Sequence, residues 1–150
     1  MANFDELIKR LYKDYPGEDN NNARGKAFEH ICKWFLKEDP YYSQEFCNVW
    51  LWDEWPGRWG PDIGIDLVAK TITGNLVAVQ AKCHANTVPS GEIDSFISAS
   101  ARPEFNQCLL IATSDITKNS ENKLTHHYKP SPFLLGSSLR ERPVDWLASM

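Results

Sequence analysis

The sequence predicts an α/β domain, a central mixed β-sheet flanked by helices, and two periodicities with one spacing lead there. Apolar residues recur every three or four positions over 3–14, 23–38 and 91–101, the repeat of amphipathic helices. Short apolar runs at 63–70, 75–83 and 107–113, bounded by turn residues, have the length of strands. The first two runs are close enough for a hairpin, whereas a helix separates the second from the third. An antiparallel meander therefore passes through a right-handed crossover into a parallel strand.

Phe4, Leu7, Ile8 and Leu11 form the stripe of the first helix, and Tyr15-Pro16-Gly17 ends it. Asn22 is the expected N-cap of the second helix, 23–38, which turns Phe28, Ile31, Cys32 and Phe35 inward. Asp39-Pro40 stops it. Residues 44–52 are rich in aromatic and β-branched side chains and predict a strand. The connection from Asp53 to Pro61 is full of turn residues. The hairpin strands follow, with a turn over Thr71-Ile72-Thr73-Gly74-Asn75. Pro89-Ser90-Gly91 opens a helix over 91–101, and Gln107 to Thr113 reads as a fully buried strand. A helix over 119–128 and a short strand at Phe133-Leu134-Leu135 complete the order α-α-β-β-β-α-β-α-β.

At 150 residues, 42% hydrophobic and 24% charged, the chain suits one domain with its own core. No run is long enough to span a membrane and no secretory signal is visible, so a cytoplasmic protein is expected. The four cysteines are scattered without zinc-ligand spacing and are read as buried thiols. His126-His127 is expected near a helix end, not at a metal. The net charge of −4 lacks the basic surplus of a protein that grips DNA unaided.

The hairpin carries the chemistry. Alternate strand residues point to opposite faces, so Gln80 and Lys82 share one face while Val77, Val79 and Ala81 share the other. In a turn centred on Thr73, Asp66 falls opposite Gln80, and opposed Cβ atoms lie about 4.5–5.5 Å apart. Ile65 and Leu67 are then expected on the buried side with Val77 and Val79. Phosphodiester hydrolysis needs a divalent ion to polarise a phosphoryl oxygen and a cation near the attacking water. Asp66 is the anionic candidate ligand, with the Gln80 side-chain oxygen and the Ala81 carbonyl as neutral ones. Lys82 would orient the water or neutralise the transition state, and Glu29 would add charge through a water. Mg²⁺ accepts such a sparse set, because it keeps waters and takes only one or two carboxylates; Mn²⁺ is expected to substitute.

Gly25-Lys26-Ala27-Phe28-Glu29, then Gly64-Ile65-Asp66-Leu67, then Gln80-Ala81-Lys82 resemble the three motifs of the Mrr-like branch of the PD-(D/E)xK restriction endonuclease superfamily. With Val49 to Gly57 and Ile93 to Ala101, the chain from about residue 23 to 146 resembles the N-terminal nuclease domain of type ISP restriction–modification enzymes. The resemblance implies a restriction-endonuclease-like core, metal binding at Asp66 and Gln80, catalysis by Lys82 and a supporting metal role for Glu29. It also implies double-stranded DNA as substrate, with a helicase-like translocase and a methyltransferase in the same polypeptide. Gln80 departs from the superfamily's usual Glu or Asp, which argues for a single ion. Asp62, in a literal Pro61-Asp62, is read as a decoy because Asp66 fits the register.

Lys26, Arg24, Arg58 and Lys70 are the candidate phosphate contacts, and His84 is placed at the rim. Trp50, Trp52, Trp55 and Trp59 fit a core or domain interface better than base stacking. Residues 1–22 are expected to form an N-terminal helix and loop, 23–135 the nuclease core, and 136–150 an extension or linker to a further domain. Two rivals share the fold: a stand-alone junction-resolvase-like nuclease, expected to be a basic dimer, and a non-catalytic DNA-binding or docking module.

Overall fold

The computed structural model describes every residue except Asp62 and Ile63. Helix α1 (Phe4–Asp14) begins where the Asn3 side chain accepts a hydrogen bond from Glu6 N–H at 2.9 Å and buries Phe4, Leu7 and Leu11. A 3-10 turn, Glu18–Asn20, leads directly into α2 (Asn21–Glu38). Asn22 is consequently not the N-cap but a first-turn residue, because that turn already has helical direction. Asp39 ends α2, and its Oδ2 accepts from the N–H groups of Tyr41 and Tyr42. Those bonds start a short α3 (Tyr42–Glu45), so strand β1 (Phe46–Leu51) begins two residues later than expected.

Strands β2 (Leu67–Thr71) and β3 (Leu76–Lys82) form the hairpin. Its register is the expected one, with Leu67 opposite Val79 and Ala69 opposite Val77. Gly74 takes φ +93 in the turn, a backbone state that favours glycine. Helix α4 (Ser90–Ala99) then carries the chain across the sheet to β4 (Gln107–Ala112), parallel to β3. Helix α5 (Lys118–Thr125), strand β5 (Phe133–Leu134) and helix α6 (Gly136–Arg140) follow, with β5 parallel to β4. Among the described residues the sheet has five strands in the order β1-β2-β3-β4-β5. It is mixed and covered on both faces, as expected.

Two cores result. On one face, Leu67, Ala69, Val77, Val79 and Ala81 meet the buried stripes of α1 and α2. On the other, Val68, Ala78, Cys108 and Leu110 meet Ile93 and Phe96 of α4 and an aromatic group of Trp52, Trp55 and Phe105. Ile65 belongs to this second core and not beside Leu67, because the strand alternation stops where β2 begins. The tryptophans pack as predicted: Trp52 and Trp59 centroids lie 4.8 Å apart, and Arg102 covers the Trp59 ring at 3.6 Å.

The C-terminal residues pack into the first core. Leu139, Val144 and Trp146 are buried in the first core, and Trp146 stacks on Phe35 with centroids 5.0 Å apart. Arg142 forms a forked pair with buried Asp39, at 2.9 and 2.6 Å. Trp146 N–H donates to Ala2 O, tying both ends of the chain together. Among the described residues no helix is long and apolar enough to cross a membrane.

Candidate active site

At the carboxyl end of β3 lies a cleft of about 730 Å³, between the N-terminal turns of α2 and α4. Asp66, Ala81, Lys82 and Glu29 all line it. Asp66 is delivered by the segment entering β2, where its N–H donates to Val79 O at 2.9 Å. Its Oδ2 accepts the Ala81 N–H at 2.8 Å, which holds the carboxylate across the hairpin next to the lysine strand. Asp66 is only 8% exposed, so this bond is shielded from competing water.

Gln80 is not in the lining. It is 2% exposed, its Nε2 donates to Gly64 O at 3.2 Å, and its Oε1 is buried with no hydrogen-bond partner among the described residues. The open face expected for acid, amide and lysine together is thus corrected: acid and lysine face the cleft, and the amide lies beneath. Gly64 makes this possible. Its φ of +116 is a conformation L side chains rarely adopt, and a Cβ there would stand 3.3 Å from Ser95 O.

A buried acceptor without a donor costs free energy, roughly 1–3 kcal/mol, unless a ligand satisfies it. The Gln80 oxygen therefore suits a cation. Among the described residues no three His, Cys, Asp or Glu side chains converge as a metal cluster. The donor set that remains, one carboxylate with amide and carbonyl oxygens, is of the hard-oxygen kind that Mg²⁺ accepts and zinc sites seldom use.

Glu29 stands on α2, 15% exposed, with Oε1 3.6 Å from Lys26 Nζ. Lys26 is exposed at the cleft wall. Arg24, a candidate phosphate contact, lines the cleft but is held by the chain's own groups. It is 4% exposed, donates to Tyr15 O, Gly17 O and Asn21 Oδ1, and lies 4.2 Å from the Tyr12 ring centroid. Four of its five N–H groups are so engaged, and it braces the turn before α2. Arg58 is exposed on the β1–β2 connection, donating to Trp55 O. Lys70 is exposed too, but stands toward the hairpin turn, on the order of 10 Å along β2 from its cleft end. The structure does not bring Arg58 or Lys70 to the cleft lining. Asp62 lies outside the described residues.

One acid in the cleft escaped the sequence. Glu92, in the first turn of α4, has Oε1 2.9 Å from Lys82 Nζ and 3.1 Å from His84 Nε2. Burial works to raise its pKa, but Lys82 and His84 outweigh that and hold it below its ordinary value. Acids are common in a first helical turn, so Glu92 carried no distinguishing signal. Beneath the cleft, Cys32 is fully enclosed, and burial together with the Asp66 charge pushes its thiol well up. Cys83, beside Lys82, is also raised by burial despite hydrogen bonds with Thr113 and Tyr12. Both thiols stay protonated, and neither offers a nucleophile at neutral pH.

A mixed sheet with helices on both faces, with an acid and a lysine lining one cleft at a strand end, belongs to the restriction-endonuclease-like α/β class. The chain aligns over 98% of its length, at 31% identity and a TM-score of 0.77, with a structure described as the ATP-dependent type ISP restriction–modification enzyme LlaBIII bound to DNA. A family model described as a restriction endonuclease, Mrr_cat_2, matches residues 37–150, and the chain belongs to that family of endodeoxyribonucleases. The fold also matches the MspJI restriction endonuclease in complex with a 27-mer oligonucleotide (19% identity, TM-score 0.60, 90% of this chain). It matches the DNA modification-dependent restriction endonuclease AspBHI similarly (18% identity, TM-score 0.59, 90% of this chain). The chain spans 9% of the LlaBIII chain, 30% of MspJI and 33% of AspBHI. No curated protein matches the sequence.

Proposed function

We propose that this chain is a Mg²⁺-dependent DNA endonuclease domain that works within a DNA-translocating restriction–modification enzyme and hydrolyses one strand per event. The observation that carries the reading is the Asp66 carboxylate held on Ala81 N–H, in the same cleft as Lys82 and near the buried Gln80 oxygen, which has no hydrogen-bond partner among the described residues. Asp66, Gln80 Oε1 and the Ala81 carbonyl would hold the ion, and Mn²⁺ would substitute. When bound, such an ion polarises a phosphoryl oxygen and lowers the pKa of a water. The Lys82 ammonium orients that water and offsets the negative charge that builds as the phosphate is attacked. Glu29, on the facing helix, restores through a bridging water the negative charge that an amide at residue 80 lacks. Lys26, at the cleft wall, is the basic residue best situated to meet a phosphate.

Double-stranded DNA is the substrate, which sets the reaction in the cytoplasm. The likeness to LlaBIII supports a helicase-like translocase and a methyltransferase as partners in one polypeptide. The test is nicking of supercoiled DNA with Mg²⁺ at low salt. Wild type should nick, and chelation should stop it. Lys82→Ala should bind Mg²⁺ normally and lose at least about a hundredfold in rate, the loss typical of a misplaced or missing catalytic group. Equal nicking by the two proteins would refute the assignment.

A further inference from the structure

We propose that Glu92 is a positioning residue that fixes the Lys82 ammonium at the cleft, through a carboxylate oxygen shared with His84. The inference rests on the catalytic reading of Lys82 given above. A lysine on a strand end has four rotatable bonds and roughly 2 kcal/mol of rotamer entropy to lose before it can act on a phosphate. Here the ammonium is already held, 2.9 Å from Glu92 Oε1, with the lysine and glutamate side chains 24% and 32% exposed. His84 Nε2, 3.1 Å from the same oxygen, donates to it when its proton is on that nitrogen and so limits the glutamate in turn.

The frame around this pair is rigid. Glu92 lies in the first turn of α4, where the helix dipole favours an anion. Ile93 and Phe96 of the same helix are fully buried against the sheet. On the other side, Thr113 fastens the end of β3 to β4. Its N–H donates to Lys82 O at 3.0 Å, its hydroxyl donates to His84 O at 2.9 Å, and His84 N–H donates to Thr113 Oγ1 at 3.0 Å. Backbone and ammonium of Lys82 are therefore fixed from opposite directions, by β4 and by α4. Such preorganisation matters because a displacement of about 1 Å in a catalytic group can cost on the order of a hundredfold in rate.

The experiment compares Glu92→Gln, which keeps the size and removes the charge, with Glu92→Asp, which keeps the charge on a shorter stem. In the metal-free chain, acetylation of Lys82 by an N-hydroxysuccinimide ester is followed by mass spectrometry. Glu92→Gln should raise the Lys82 rate roughly two- to fivefold, the range of a partly exposed ion pair, with other lysines unchanged. In Mg²⁺-dependent nicking, Glu92→Gln should lower kcat about tenfold or more, with KM for DNA and Mg²⁺ affinity as in wild type. Glu92→Asp should recover part of both effects, and thermal melts exclude misfolding as the cause. Unchanged labelling of Lys82 in Glu92→Gln, with Lys82→Ala inactive, would overturn the positioning role alone. Weakened Mg²⁺ affinity in Glu92→Gln would also overturn it, since Glu92 would then be a ligand. Full nicking by Lys82→Ala would remove the catalytic reading beneath it.

Discussion

Gln80 shows how a single side chain can be legible in register and illegible in environment. Strand alternation places it with Lys82, and the hairpin register places it opposite Asp66. What periodicity cannot give is depth: Gly64, at a φ no ordinary residue adopts readily, brings its carbonyl over Gln80 and buries the amide. The consequence is testable. A carboxylate at residue 80 supplies the charge that an amide lacks, and a metal ion would neutralise it in place. Gln80→Glu should therefore bind Mg²⁺ more tightly by calorimetry while retaining nicking activity. Without Mg²⁺ the same variant should be less stable than wild type by about 1–3 kcal/mol, because it buries an uncompensated charge in place of an unsatisfied oxygen. Denaturant melts with and without Mg²⁺ would read the difference. A variant whose stability ignores the ion would argue against Gln80 as a ligand.

At the scale of elements, the short helix α3 supplies a pH-dependent contribution. Tyr42 is wedged between Phe35 and Phe46, with ring centroids 5.8 and 5.5 Å away. Burial pushes its phenol from an ordinary 10.0 up to about 12, against the opposing pull of Arg142. A group whose folded pKa is raised stabilises the fold fully below its unfolded pKa, and that contribution is lost as pH rises toward the folded value. Stability attributable to Tyr42 should thus fall between pH 10 and 12, and Tyr42→Phe should flatten that part of the wild-type curve in urea melts. A variant curve parallel to wild type would show that the phenol does not ionise on unfolding. The same helix also marks where the sequence misleads. Residues 44 and 45 read as strand because Gln44 to Trp52 is rich in aromatic and β-branched side chains, yet Asp39 caps a helical turn there first. Elements fixed by their own pattern, such as α1, β3 and β4, were legible nearly to the residue, and the hairpin was legible in register, although β2 starts at Leu67 and not at 63. Those fixed by a partner distant in sequence were not: Arg24 bracing Tyr15 and Gly17, Thr113 pinning His84, and Trp146 reaching Phe35.

For the molecule as a whole, the net charge of −4 governs how this chain can meet DNA. Non-specific affinity for DNA comes mostly from released counterions and needs several phosphates neutralised at once. Around the cleft, Arg24 is committed to the backbone of the chain, and Lys82 is paired with Glu92. Lys26 is left as the basic side chain of the cleft most exposed to solvent, 3.6 Å from Glu29. On the reading proposed above, a weak grip and a preorganised site suit a nuclease whose DNA is delivered by another part of the enzyme. The separated chain should nick slowly at about 150 mM salt, and its rate should rise steeply as salt falls. Fusing it to a sequence-neutral DNA-binding module should recover much of the rate at that salt, because tethering supplies an effective concentration of up to the millimolar range. The gain should appear in apparent KM, leaving kcat within about twofold, since the tether touches nothing in the cleft. A fused protein that improves kcat tenfold, or a separated chain already efficient at 150 mM, would mean that binding to DNA also reorganises the site. In that case the Asp66–Ala81 and Lys82–Glu92 contacts would describe a resting arrangement, and the delivery explanation for the acidic surface would fail.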